Sequence, residues 1–149
     1  MSVTLLTPAT PAQSLQLPLF ISKVSAGFPS PAQDYVEQTL DLNELCIRRP
    51  AATFFVRVDG ESMIEAGIFH NDILVVDRSV KAQHGDIVVA QVDGEFTVKE
   101  LCTRPQLMLV PRNQNYQPIG FANDHELQIF GVVTNVVRQM TRGTRCSGT

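Results

Sequence analysis

Ser62 follows a Gly60-Glu61 step, and Lys99 lies 37 residues further on inside Phe96-Thr97-Val98-Lys99-Glu100. A serine hydroxyl attacks a carbonyl only when a base takes its proton, and a lysine amine becomes that base when burial lowers its pKa. Ser-Lys pairs are one variant of this nucleophile–base logic. A turn at Gly60 can expose the hydroxyl and aim backbone N–H groups at a developing oxyanion. Val24-Ser25-Ala26-Gly27-Phe28 supplies a peptide bond that such a pair can cut. Ala26 fits a shallow pocket, and Gly27 lets a second backbone come close. The reading that joins the three segments is a protein that cleaves its own N-terminal arm.

Each segment also has a plainer reading. Gly60-Glu61-Ser62 is what an ordinary strand-ending turn with a capping serine looks like. Phe96 and Val98 share one face of their strand, and Thr97, Lys99 and Leu101 share the other, which is where a solvated lysine also sits. Ala26-Gly27 reads equally as a flexible hinge. Asp59, Glu61, Asp72 and Asp77 are spaced as solvated loop carboxylates, and nothing in their pattern makes an acid–base pocket. His70, His84 and His125 show no ligand spacing with carboxylates or with Cys46, Cys102 and Cys146, so no metal site is expected. Three cysteines without a CxxC pair read as free thiols in a reducing compartment.

The elements that must hold these residues follow from pattern. Residues 1–30 read as an extended arm rich in Thr, Pro, Ser and Gln, in which Leu15, Leu17, Leu19, Phe20, Ile21 and Val24 can lie along a surface or add to a sheet edge. Ser30-Pro31 signals a helix start, with a short helix through Ala32 to Val36. Asp41 caps a second short helix over Leu42 to Ile47, which must end before Pro50. From Thr53 the chain is mostly strand: Phe54–Val58, Ile73–Val76, Ile87–Val92, Glu95–Leu101, Leu107–Val110 and Ile129–Val137. Asp93-Gly94 is a two-residue hairpin turn. The expected fold is mainly β, compact and largely antiparallel. The expected organisation is an arm at 1–30, a β-rich domain at 31–140 and a frayed tail at 141–149.

The 149 residues suit one domain with a core. Net charge is −3, and the first 26 residues hold Lys23 and no acid, so the rest of the chain carries −4. A domain of that sign is a poor stand-alone binder of phosphate backbones, so no direct sequence-specific DNA binding is expected. No apolar run approaches a membrane span, and Pro8, Pro11 and Pro18 interrupt anything like a signal peptide. A cytoplasmic protein is expected.

The segments have one known arrangement in common. Phe28-Pro29-Ser30-Pro31-Ala32, Asp34-Tyr35-Val36-Glu37-Gln38, Asp41-Leu42-Asn43, Gly60-Glu61-Ser62-Met63-Ile64, Ile73-Leu74-Val75-Val76-Asp77, His84-Gly85-Asp86-Ile87-Val88, Val92-Asp93-Gly94-Glu95-Phe96-Thr97-Val98-Lys99 and Phe130-Gly131-Val132-Val133 closely resemble the UmuD-type SOS mutagenesis proteins of the LexA-type Ser-Lys autopeptidase family. The Ser-to-Lys spacing matches as well.

The resemblance implies Ser62 as nucleophile, Lys99 as general base, the Ser62 N–H in the oxyanion hole and Ala26-Gly27 as the cut bond. UmuD has Cys-Gly at the cut, and Ala-Gly is the LexA-type form. It also implies a β-rich domain that forms a homodimer, with no cofactor. The implied activator is a RecA–single-stranded DNA filament, and the implied partner of the trimmed form is a UmuC-like Y-family polymerase subunit for error-prone translesion synthesis. The alternative is a polymerase-accessory or LexA-type regulatory module whose dyad is idle. LexA-type repressors place a helix-turn-helix domain before the cut, and the 26 residues ahead of Gly27 hold no paired amphipathic helices, so a repressor role is not expected. Type I signal peptidases share the Ser-Lys pair but need a membrane anchor. The tail beyond about Met140 is longer than the family pattern.

Overall fold

A computed structural model of the chain describes residues 3–6, 13–20, 36–121 and 127–140. In chain order the elements are β1 (Val3–Leu6), β2 (Leu17–Phe20), β3 (Val36–Leu40), α1 (Leu42–Cys46), β4 (Thr53–Val58), β5 (Ile73–Asp77), β6 (Ile87–Val92), β7 (Glu95–Cys102), β8 (Met108–Val110), β9 (Ile119–Gly120) and β10 (Leu127–Val137). Two 3-10 turns, Pro50–Ala52 and Ile64–Ala66, precede β4 and follow Ser62. Eight strands make one sheet in the order β1-β4-β5-β10-β6-β7-β8-β9, and every neighbouring pair is antiparallel. The fold is mainly β, as the sequence pattern indicates.

Residues 9–48 make a compact unit of their own. In it β2 and β3 pair antiparallel. Asp41 caps α1 as expected, accepting the Asn43 N–H at 2.8 Å, and it also accepts from Ser14 Oγ at 3.0 Å. The helix expected over Ala32 to Val36 lies outside the described residues except at Val36, which opens β3. Val36-Glu37-Gln38-Thr39-Leu40 pairs with Leu17–Phe20. The Ala26-Gly27 bond, His125 and the tail 141–149 also lie outside the described residues.

The larger unit holds residues 1–8 and 49–149. Its local geometry follows its sequence most closely at Asp93-Gly94, where φ values of 48° and 88° join β6 to β7 in the doubly left-handed turn that a two-residue hairpin needs. The long strand β10 pairs with β6 through its first half and with β5 through its second, with register shifts at Ile129/Gly131 and Val133/Asn135. Glycine is required at the crossing. A Cβ on Gly131 would stand 2.7 Å from Val76 Cγ1 and 2.9 Å from Asp77 O. Bulges of this kind let one strand serve two neighbours by bending.

The core has two clusters. Phe54, Val56, Val58, Met63, Ile68, Leu74, Val76, Val89 and Val98 make the first. Val88, Ala90, Leu101, Leu109 and Val132 make the second. Successive residues of β6 and β7 fall into different clusters, so both faces of this hairpin are buried. That explains why β7 showed no clean alternation of apolar and polar residues.

Candidate active site

Ser62 is placed by the residues around it. β4 ends at Val58, and Gly60 at φ 103° turns the chain. Met63, wholly buried in the first core cluster, pins the turn from below. The segment 112–114 laces it from the side. Arg112 N–H donates to Ser62 O at 2.8 Å, and Glu65 N–H donates back to Arg112 O at 2.9 Å. Asn113, itself buried, donates from Nδ2 to Glu61 O at 2.8 Å, and Gln114 N–H donates to Glu65 Oε2 at 3.0 Å. Arg112 also pairs with Glu100, the neighbour of Lys99 on β7. One residue thus ties the serine turn to the strand that carries the lysine.

Lys99 is placed by β7. Its strand partner is Val88, and Thr97 and Leu101, two residues to either side, oppose Ala90 on β6 and Leu109 on β8. Val88, Ala90 and Leu109 have no exposed surface. Cross-strand neighbours on a shared face stand within side-chain contact, so the lysine stem runs through apolar surroundings. Lys99 is 5% exposed and Ser62 1% exposed. Its Nζ donates to Ser62 Oγ at 3.2 Å, to Thr97 Oγ1 at 2.7 Å and to Val98 O at 3.2 Å. The structure therefore brings together two residues 37 positions apart, and it buries the Ser62 hydroxyl that the turn was expected to expose.

Burial lowers the Lys99 pKa from its ordinary 10.5 to about 8. Removing an ammonium from water disfavours its charged form, and hydrogen-bonding oxygens only partly replace the water. At pH 7 an amine of pKa 8 is neutral in about one molecule in ten, against roughly one in three thousand at the ordinary value. A neutral Nζ offers a lone pair, and the 3.2 Å line to Ser62 Oγ then serves the hydroxyl as donor. This is the arrangement a nucleophile and its base require.

The other titratable candidates are engaged elsewhere. His70 Nδ1 accepts the Gly60 N–H at 3.1 Å, and His84 Nδ1 accepts the Thr103 N–H at 3.0 Å. Asp72 and Asp77 are not the solvated loop carboxylates expected from the sequence; Asp72 is buried against Arg138, which donates to it from Nε at 2.7 Å and from Nη2 at 2.6 Å. That bonding holds the Asp72 carboxyl below the usual carboxylate range. Asp77 accepts from Ser79 Oγ at 2.6 Å and from Arg49 at 3.3 Å. Among the described residues no group of three or more His, Cys, Asp or Glu is placed to hold a metal ion, and no helix is long and apolar enough to cross a membrane.

Sequence reasoning missed the strap from Arg112 to Gln114 and the Asp72–Arg138 clamp. Both join residues more than 45 positions apart, and neither has a local signature. Thr97 was within reach, since period-two alternation already put it on the face of Lys99.

The Peptidase S24-like family pattern matches residues 18–134. The chain belongs to the Peptidase S24-like family, in its LexA/UmuD branch. Over 141 residues it is 52% identical to Protein ImpA of Escherichia coli, covering 93% of this chain and 97% of that protein. It is 49% identical over 120 residues to Protein MucA of Escherichia coli, covering 80% and 82%. It is 38% identical over 138 residues to LexA repressor 2 of Pseudomonas syringae pv. tomato, covering 92% and 67%. In this S24-like domain the buried serine and lysine stand on the turn after β4 and on β7.

Proposed function

We propose that this S24-like protein is an SOS-response mutagenesis regulator that cuts its own Ala26-Gly27 bond, with Ser62 as nucleophile and Lys99 as general base. The observation that carries the reading is the buried 3.2 Å contact between Lys99 Nζ and Ser62 Oγ, joined to a lysine pKa near 8. In the reaction, neutral Lys99 takes the Oγ proton while Oγ bonds to the Ala26 carbonyl carbon. The backbone N–H of Ser62 and that of a neighbour receive the oxyanion. The Lys99 ammonium returns a proton to the Gly27 nitrogen as the C–N bond breaks. Water then hydrolyses the Ala26 ester, so that one peptide bond and one water yield a carboxylate and an amine. Thr97 Oγ1 steadies the amine through this cycle.

A dyad at low neutral fraction is slow, but its substrate is tethered to it, and tethering raises effective concentration. An activator need supply no catalytic group. A RecA–single-stranded DNA filament acts by favouring the arm conformation in which the Ala26 carbonyl reaches Oγ. The trimmed chain, a homodimer, serves as accessory subunit of a UmuC-like Y-family polymerase in the cytoplasm. Membership in the LexA/UmuD branch supports these partner assignments.

Incubation with and without a RecA filament, read by intact mass, tests the reading. The expected product lacks residues 1–26 and begins at Gly27, and Ser62→Ala and Lys99→Ala each abolish it. Because residues acting as a unit are not additive, the double variant is no worse than either. A different new N-terminus refutes the bond assignment, and cutting by Ser62→Ala refutes the nucleophile.

A further inference from the structure

The proposed cut has a topological consequence. Both strands that precede Gly27 pair with strands that follow it: β1 with β4, and β2 with β3. β1 is the terminal strand of the eight-stranded sheet, and without it β4 becomes the edge. The opposite end of the sheet is blunted by the two-residue β9. β4 is not blunted. It has six residues, Thr-Phe-Phe-Val-Arg-Val, with no proline and one charge, and its ladder with β5 runs without a bulge from Thr53↔Asp77 to Arg57↔Ile73. Such an edge is a ready template for another strand unless it is covered.

The direction of its free groups is fixed by the ladder. Val58 N–H donates to Asp72 O, and Val58 O accepts from Asn71 N–H, both at 2.8 Å on the β5 side. By alternation, Phe55 and Arg57 turn their N–H and C=O away from β5. Those two residues stand opposite Leu6 and Thr4 of β1.

We propose that the outer edge of β4 is a strand-accepting site. Val3-Thr4-Leu5-Leu6 is its resident occupant in the whole chain, and a partner's extended segment of the same chemistry takes its place once the arm is released. That segment is short, apolar or β-branched, free of proline and antiparallel to β4. Main-chain bonds at Phe55 and Arg57 supply the affinity, as in other strand-addition sites. The event that vacates the edge rests on the self-cleavage reading, whereas the edge itself does not. A resident strand of four residues binds chiefly because it is tethered, so loss of the tether loses it.

Amide hydrogen exchange on the full-length Ser62→Ala chain tests the site with no cleavage involved. In this background the Phe55 and Arg57 amides exchange as slowly as those of Phe54 and Val56. Thr4→Pro deletes the N–H facing Arg57, and exchange at Phe55 and Arg57 then rises at least about tenfold while Phe54 and Val56 stay protected. A synthetic peptide of residues Ser2–Pro8, supplied at the millimolar concentration that the tether otherwise provides, restores the protection. If Thr4→Pro disturbs the fold, Leu5→Gly/Leu6→Gly weakens the strand without a proline. Fast exchange at Phe55 and Arg57 before any substitution overturns the proposal, as does failure of the peptide to restore protection. Protection that returns with protein concentration alone assigns the edge to a second copy and overturns the partner-strand form. None of these outcomes bears on the dyad.

Discussion

Thr97→Val isolates the least conspicuous contact of the buried Ser62–Lys99 pair. The change keeps the β-branched shape and removes Oγ1, which accepts from Lys99 Nζ at 2.7 Å. An acceptor bonded to an ammonium favours the charged form, so its loss lowers the pKa further. A hydrogen bond to a charged group contributes about 1.5–3 kcal/mol, and about 1.4 kcal/mol corresponds to one pKa unit. The shift is therefore about one to two units below the value near 8. Two effects then oppose each other. At pH 7 the neutral fraction rises from about a tenth to about half or more. The amine, however, loses the contact that aims it, so the alkaline plateau falls.

The assay is the first-order rate of self-cleavage against pH, without activator, for wild type, Thr97→Val and Thr97→Ser. Thr97→Ser keeps the oxygen and should keep the inflection. An inflection for Thr97→Val that is unmoved, or moved upward, would mean that Thr97 Oγ1 does not hold the Lys99 ammonium.

Lys99→Met should stabilise the fold. Below pH 8 the native protein holds an ammonium in an apolar site, and a fall from 10.5 to about 8 corresponds to at most about 3 kcal/mol. The gain measured by urea unfolding should be full below pH 8 and fade toward 10.5, because the unfolded wild-type chain binds more protons than the native one across that window. Arg138→Ala removes the two bonds to buried Asp72 and should lower the thermal midpoint by several degrees at pH 7. Because Asp72 sits below the usual carboxylate range, that difference should be full above about pH 3.8 and shrink as pH falls below it and then through the lower value of the folded state. Gly131→Ala forces a methyl against the Asp77 backbone and should cost about 1–3 kcal/mol in the same unfolding assay.

What the sequence made legible was local. Asp93-Gly94 has only one favourable use between two apolar runs, and Asp41 before Leu42 is a capping pattern, so the β6–β7 hairpin and α1 stand where expected. β1 was harder, since Val3–Leu6 is short and its partner lies some fifty residues on. The β9 strand has two residues and no pattern to offer. For the site, Ser62 and Lys99 were readable as residue types in a spacing, but not as a buried pair. Burial of Lys99 depends on Val88, Ala90 and Leu109 from two other strands. Desolvation of this kind is a property of packing, and a strand buried on both faces erases the alternation that would have reported it.

Under the proposed mechanism Lys99 acts as a titrating base. The most direct measurement is the pH dependence of self-cleavage between about pH 6 and about 10.5, an upper limit set by the ordinary lysine pKa, in wild type and in Lys99→Ala. Appearance of the Gly27 product is followed by mass and the fold by circular dichroism. The rate should climb about tenfold per unit at low pH, bend near pH 8 and level off above it, and Lys99→Ala should show no such rise. A profile already level by about pH 7.5, as an ordinary imidazole base of pKa near 6.5 gives, would contradict the account. So would a flat profile, or a climb that Lys99→Ala retains.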